Sequence, residues 1–170
     1  MMRCLGTILL SALSFSVTSM AAKKLPEYQH LYSFSIVLTD NHLVDGPLGS
    51  RFGLGAVSGN MTSPQGKVIA TVVPGVGGET GLVDKNNNFQ IQSRNVFQFV
   101  DDKKYAFIEG SGIGPLTGNP LDVHHVETDS PSRLAWNGYF IVVNVSLPSP
   151  TCLIGDAFKF NNGAYSNEME

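Results

Sequence analysis

Cysteine is nearly missing from this 170-residue chain: Cys4 and Cys152 are the only two. Cys4 falls in an N-terminal segment expected to be removed, so Cys152 stands alone and no internal disulfide is expected. Its surroundings, Thr-Cys-Leu-Ile, are apolar and read as a buried, inert thiol rather than a nucleophile. Histidine is also sparse. His124 and His125 are adjacent, and neighbours on a strand point to opposite faces, so the two cannot share a compact zinc site. His30 and His42 lie far along the chain, and neither a metal nor a cofactor is expected. No G-x-S-x-G elbow is present. Gly53-x-Gly55 and Gly110-x-Gly112-x-Gly114 lack the spacing or the following helix of a phosphate cradle.

Two further absences bound the fold. No segment after Ala21 carries a 3.6-residue apolar period, and none is apolar for long enough to span a bilayer. Residues 1–21 have a basic start at Arg3, an apolar run from Leu5 to Val17, and small residues at Ser19 and Ala21. That is the layout of a secretory signal peptide. Cleavage there leaves 149 residues, ten basic and fourteen acidic, with a net charge of −4. Such a chain is a poor match for nucleic acid or an anionic membrane. A domain of that size buries roughly 68–70% of its unfolded surface without staples. Asn60-Met-Thr62 and Asn144-Val-Ser146 are glycosylation sequons at Asn60 and Asn144, consistent with secretion. The expected organisation is a signal peptide over 1–21, a β-domain over 22–160 and a polar tail over 161–170.

What is present is alternation. Tyr32, Phe34, Ile36 and Leu38 alternate with Ser33, Ser35, Val37 and Thr39. Phe89, Ile91, Phe97 and Phe99 share one parity, and Gln90, Gln92, Arg94 and Gln98 the other. Asp101-Asp-Lys-Lys104 makes a hairpin turn leading into Tyr105–Ser111. Lys67–Val73, Val123–Thr128, Leu134–Ser146 and Cys152–Phe160 read as further strands. Pro74–Gly78 and Gly112–Pro120 read as loops. Eight or nine short strands separated by turn signals specify an all-β fold. Closure into a single antiparallel barrel of about eight strands would remove aggregation-prone edges. Asp45-Gly-Pro-Leu-Gly-Ser-Arg51 is a rigid turn between two strands. Its glycines and proline fix the backbone, and Asp45 and Arg51 stand at its ends.

Gly46-Pro-Leu-Gly-Ser-Arg51 resembles the Gly-Pro-x-Gly-x-Arg signature of the domain-of-unknown-function family 3237. Gln92-Ser-Arg94, Val100-Asp-Asp102, Glu127-Thr128 and Ala135-Trp-Asn137 are similar to further elements of that family, in the same order, between Leu31 and about Ser146. The resemblance implies a calycin- or lipocalin-like antiparallel barrel with a central small-molecule cavity, and little about activity.

Among the residues themselves, Arg51 and Arg94 are candidate cations for an anionic oxygen. Arg94 is expected to face the lumen, with Phe97 facing outwards. His125 and Glu127 share a strand face and are candidate proton carriers, so the catalytic set is Arg51, Arg94, His125 and Glu127. Asp45, Tyr105, Glu109, Trp136 and Asn137 are candidates for the substrate-binding shell. The expected partner is a small molecule, with a homo-oligomer left open. Two functions stay open: a cofactor-independent isomerase or cyclase acting on a small aromatic or polyketide-like metabolite, and a secreted carrier of a hydrophobic small molecule.

Overall fold

The computed structural model describes residues 27–160; the expected signal peptide and polar tail lie outside them. Eleven strands follow one another: β1 (Tyr28–Leu38), β2 (Val44–Gly46), β3 (Gly49–Arg51), β4 (Leu54–Thr62), β5 (Val68–Glu79), β6 (Leu82–Asp84), β7 (Asn88–Phe99), β8 (Tyr105–Pro115), β9 (Leu121–Thr128), β10 (Ile141–Ser149) and β11 (Cys152–Phe160). Eight of them close antiparallel into a barrel in the order β7-β5-β4-β1-β11-β10-β9-β8, and the β7–β8 ladder seals the ring. β2, β3 and β6 extend one rim. β3 pairs with β6, and β6 pairs with the start of β7.

The lumen is filled by the aromatic and branched parity of each strand. Tyr32, Phe34, Ile36 and Leu38 of β1, Phe89, Ile91, Phe97 and Phe99 of β7, and Ile141, Val143 and Val145 of β10 are all buried. This reverses the expected facing of β7. Arg94 points outwards, with its side chain 74% exposed, and the phenylalanines point in. The energetics decide the face. Burying a phenylalanine or isoleucine side chain stabilises by about 1.5–3 kcal/mol, whereas desolvating a guanidinium costs several kcal/mol. A one-residue change of register would exchange the two sets.

One barrel end is plugged. Ala135-Trp-Asn137 does not continue a strand, as the sequence led us to expect. It lies in a 3-10 helix, Pro131–Gly138, which precedes β10. Trp136 stacks on Tyr32 at 5.4 Å and meets Phe99 edge-on at 6.0 Å. The Arg133 guanidinium sits 4.0 Å from the Phe99 ring centre and 2.9 Å from Asp101 Oδ2. That pairing holds the Asp101 carboxyl below the usual carboxylate range. Asn137 fastens the plug: its Oδ1 accepts from Thr128 N (2.8 Å) and its Nδ2 donates to Thr128 O (3.0 Å) and Leu134 O (2.8 Å). Val142 and Asn144 share the outward face of β10, and Phe140, just before the strand, is half exposed. Asn60 and Asn144 are both exposed; Asn144 lies on a regular stretch of β10, while the β4–β5 ladder shifts register on either side of Asn60.

The opposite end is open, and the rim motif is built there. Gly46 and Gly49 bracket the Pro47-Leu48 turn of the β2–β3 hairpin. Gly49 has φ +139°, and a Cβ there would strike the Val83 carbonyl of β6. Pro74–Gly78, expected as a loop, lies within β5. The ladder to β7 jumps between Val72↔Phe97 and Gly77↔Asn95, so extra β5 residues bulge out.

Candidate active site in the barrel mouth and lumen

A pocket of about 370 Å³ occupies the open end, with walls that include Phe52, Leu116, Leu147, Pro148 and Leu153. Its size lies in the range of small-molecule sites, roughly 300–1,000 Å³. Beneath it the lumen keeps a space of about 20 Å³, lined among others by Ser93, Asn95, Asp122 and His124. Glu79, Phe89 and Leu153 border both spaces, so the floor of the apolar mouth is the roof of an interior that holds a few buried polar groups among apolar ones.

Glu79 reaches that position through a break in a strand. β5 ends at Glu79, Thr80-Gly81 interrupts the ladder, and β6 resumes at Leu82. The amides freed by the break turn to the carboxylate: Gly81 N donates to Glu79 Oε1 at 3.0 Å and Gln92 N at 3.1 Å. The carbonyl of the break is held from outside, where Arg51 Nη1 donates to Thr80 O at 2.9 Å and to Gln92 Oε1 at 3.1 Å. The Gly-Pro-Leu-Gly-Ser-Arg turn thus positions the backbone next to Glu79. Glu79 itself is 3% exposed. Burial pushes its carboxyl up to about 7, and the negative charge of Asp122 adds to the rise; the amides of Gln92, Gly81 and Thr80 pull the other way.

Deeper in the lumen a hydrogen-bonded chain crosses from β1 to β9. Tyr32 Oη lies 2.8 Å from His124 Nδ1, and His124 Nε2 lies 3.3 Å from Asp122 Oδ2. Burial drives the Tyr32 hydroxyl well above the usual range, with Asp122 contributing, so it keeps its proton. Asp122 Oδ1 and Asn95 Oδ1 are buried without a hydrogen-bond partner. Gly110 of β8 makes the room, since a Cβ there would run into the Ser93 hydroxyl and the Asp122 carboxylate.

The residues singled out from the sequence are placed elsewhere. Arg94, Glu109 and His125 line a separate polar groove of about 870 Å³ on the outside of the barrel. Arg94 Nε donates to Glu109 Oε1 at 2.7 Å, and His125 lies opposite Glu109 in the β8–β9 ladder. Glu127 is 3.8 Å from His125, and both are exposed. The structure therefore brings Arg94, Glu109, His125 and Glu127 together, but on the solvent side. Asp45 is exposed and accepts from Ser50 Oγ at 2.6 Å. Tyr105 is 51% exposed, and Trp136 and Asn137 belong to the plug, at the end of the barrel away from the mouth. The residues missed were Glu79, Asp122, His124 and Asn95. A signal for Asn95 was in view, since Ser93 and Asn95 interrupt the stripe Phe89-Ile91-Phe97-Phe99. Among the described residues, no group of three or more His, Cys, Asp and Glu side chains is arranged to hold a metal ion.

No protein-family model matches the sequence, and no curated protein matches it. Solved structures do match in fold. A conserved protein of unknown function from Rhodopseudomonas palustris aligns with a TM-score of 0.72 at 16% identity, over 81% of this chain and 99% of that one. A β-barrel-like protein from Acinetobacter baumannii aligns at 0.67 and 18% identity, over 81% and 98%. An enzyme from Penicillium herquei aligns at 0.62 and 12% identity, over 83% and 99%. At these identities the likeness is one of fold.

Proposed function

We propose that the barrel is a cofactor-independent isomerase-type enzyme. It takes a small, largely apolar molecule into the mouth and moves a proton on it through Glu79. The observation that carries this reading is the position of Glu79, a buried carboxyl shared by an apolar pocket of ligand size and a polar interior. A carboxyl with a pKa near 7 is populated as acid and as base at neutral pH, which suits it to give a proton and take one back.

The charge around Glu79 sets the order of events. The interior offers the Asp122 carboxylate and no buried lysine or arginine among the described residues. Charge that develops on the substrate is therefore best positive. Protonated Glu79 donates to one substrate atom, the resulting cation is stabilised by Asp122, and the Glu79 carboxylate removes a proton from a second atom. The proton count is unchanged and no electrons are gained or lost. This inverts the arrangement expected from the sequence, in which Arg51 and Arg94 would stabilise an anionic oxygen. Tyr32 and His124 fix the orientation of Asp122.

The test is solvent exchange. Purified protein is incubated in D₂O with a panel of aromatic enones and ketones, and the incorporation of deuterium at carbon is followed by NMR. Exchange that falls by about 10²–10⁴ in Glu79→Gln supports the proposal. Binding in the mouth without exchange for any panel member favours the carrier reading, for which the preformed apolar pocket is the supporting observation. Exchange unaffected by Glu79→Gln overturns the assignment of Glu79.

A further inference from the structure

The interior space beneath Glu79 has an uncommon inventory. It holds about 20 Å³, room for one heavy atom of water size. Two oxygens on its lining residues, Asp122 Oδ1 and Asn95 Oδ1, are buried acceptors with no donor. Unsatisfied buried acceptors cost about 1–3 kcal/mol each, so such a pair calls for an occupant that donates. The titratable groups around it are the acidic Glu79 and Asp122, with His124 3.3 Å from Asp122 Oδ2 and the Tyr32 hydroxyl behind it. The three arginines of the described chain are all committed elsewhere. Arg51 and Arg94 sit on the outer face, and Arg133 is in the plug. Phe34, Phe89 and Phe97 line the same space.

We infer that this space seats the ammonium head of a primary amine whose apolar body fills the mouth pocket. The inference rests on the mouth-and-lumen site proposed above and names its ligand class. The count of donors selects among head groups of this size. An alcohol brings one donor, a water two and an ammonium three. Three donors match the two orphaned oxygens together with the Glu79 carboxylate at the roof. A carboxylate or phosphate head is excluded twice, because it brings no donor and meets two acidic side chains. The mouth then reads the apolar body through Phe52, Leu116, Leu147 and Leu153, where contact is non-directional and tolerant of shape.

An ammonium beside Glu79 stabilises its ionised form, so binding is coupled to release of the Glu79 proton; for such a ligand the order above is reversed, the Glu79 carboxylate taking a proton from one atom first and returning it to a second, with the ammonium offsetting the negative charge between the two steps. That coupling gives a readout that a greasy pocket alone would not produce.

The experiment is calorimetric titration of the purified protein with three probes of matched body: 2-phenylethylamine, 2-phenylethanol and 3-phenylpropionate. The amine should bind at least tenfold more tightly than the alcohol, and the carboxylate should not bind measurably. Near pH 6 the amine's heat should depend on the ionisation enthalpy of the buffer, reporting up to one proton released. Asp122→Asn should abolish the preference for amine over alcohol, and Glu79→Gln should abolish the proton release. The wild-type series decides the matter even where a variant fails to fold. Equal affinity for amine and alcohol, or amine binding without proton release, would overturn the inference and leave a space that holds water only. The two proposals fail separately. Alcohol binding together with Glu79-dependent exchange would remove the amine and keep the isomerase. Amine selectivity without any exchange would keep the amine and remove the isomerase.

Discussion

Glu79 makes the stability of the barrel depend on pH with an unusual sign. Its carboxyl is raised from an ordinary value of 4.5 to about 7 in the folded protein. Between those two values the folded chain keeps the proton and the unfolded chain has lost it. The native state therefore binds more protons, and stability must fall as pH rises through that window. The loss begins near pH 4.5 and is complete above about 7. A difference of this size corresponds to about 3 kcal/mol, a large part of the roughly 5–15 kcal/mol that holds a domain of this kind together. Glu79→Gln keeps the shape of the side chain and its carbonyl acceptor but cannot ionise. The variant should match the wild type near pH 4.5 and exceed it by up to about 3 kcal/mol at pH 8. Urea unfolding of both proteins at half-unit steps from pH 4.5 to 8.5 measures the difference curve, in which titrations common to both cancel. The aspartates at 84, 101 and 129 are held below the usual range. They contribute the opposite slope, in more acidic solution, and do not overlap the window. A difference curve that is flat from pH 5 to 8, or one that rises with pH in favour of the wild type, would refute the argument.

Arg94→Met removes an exposed pair with Glu109 and should cost at most about 1 kcal/mol, with ligand binding in the mouth unchanged; loss of binding with folding intact would return the site to the outer groove. Gly110→Ala drives a methyl group into the Ser93 hydroxyl and the Asp122 carboxylate. It should lower stability by about 1–3 kcal/mol and remove any preference for a particular head group, as read from urea midpoints and the same titrations. Trp136→Ala takes away the ring that stacks on Tyr32 and meets Phe99 edge-on. It should cost about 2–4 kcal/mol and open the plugged end, seen as faster amide exchange at Tyr32 and Phe99; unchanged exchange there would mean that the plug does not seal the lumen.

The sequence by itself determined most of the strands and the class of the fold, but not the 3-10 helix over Pro131–Gly138 or the inclusion of Pro74–Gly78 in β5. Period-two alternation from Tyr32 to Leu38 and from Phe89 to Val100 can only be extended chain, and the Gly-Pro-Leu-Gly turn requires glycine at position 49. The absence of any helical period left an all-β sandwich or barrel, with the barrel favoured because closure removes exposed edges. Alternation names two faces, however, and does not say which is inside. On β7 one face carries four large apolar residues interrupted by Ser93 and Asn95, and the other carries Arg94 among glutamines. Only the closed barrel, with a lumen just wide enough to be filled by side chains, forces the phenylalanines inwards and Arg94 into solvent. Glu79 was hidden for a second reason. Ala70 and Val72 face inwards on even positions, yet Glu79 faces inwards on an odd one. The bulge between Val72 and Gly77 inserts an odd number of residues and reverses the parity of everything after it. Parity is a local property of the chain, while the length of a bulge is set by the strand across the ladder. The sequence could therefore specify that a barrel forms, and only the tertiary structure could decide which carboxyl lies inside it.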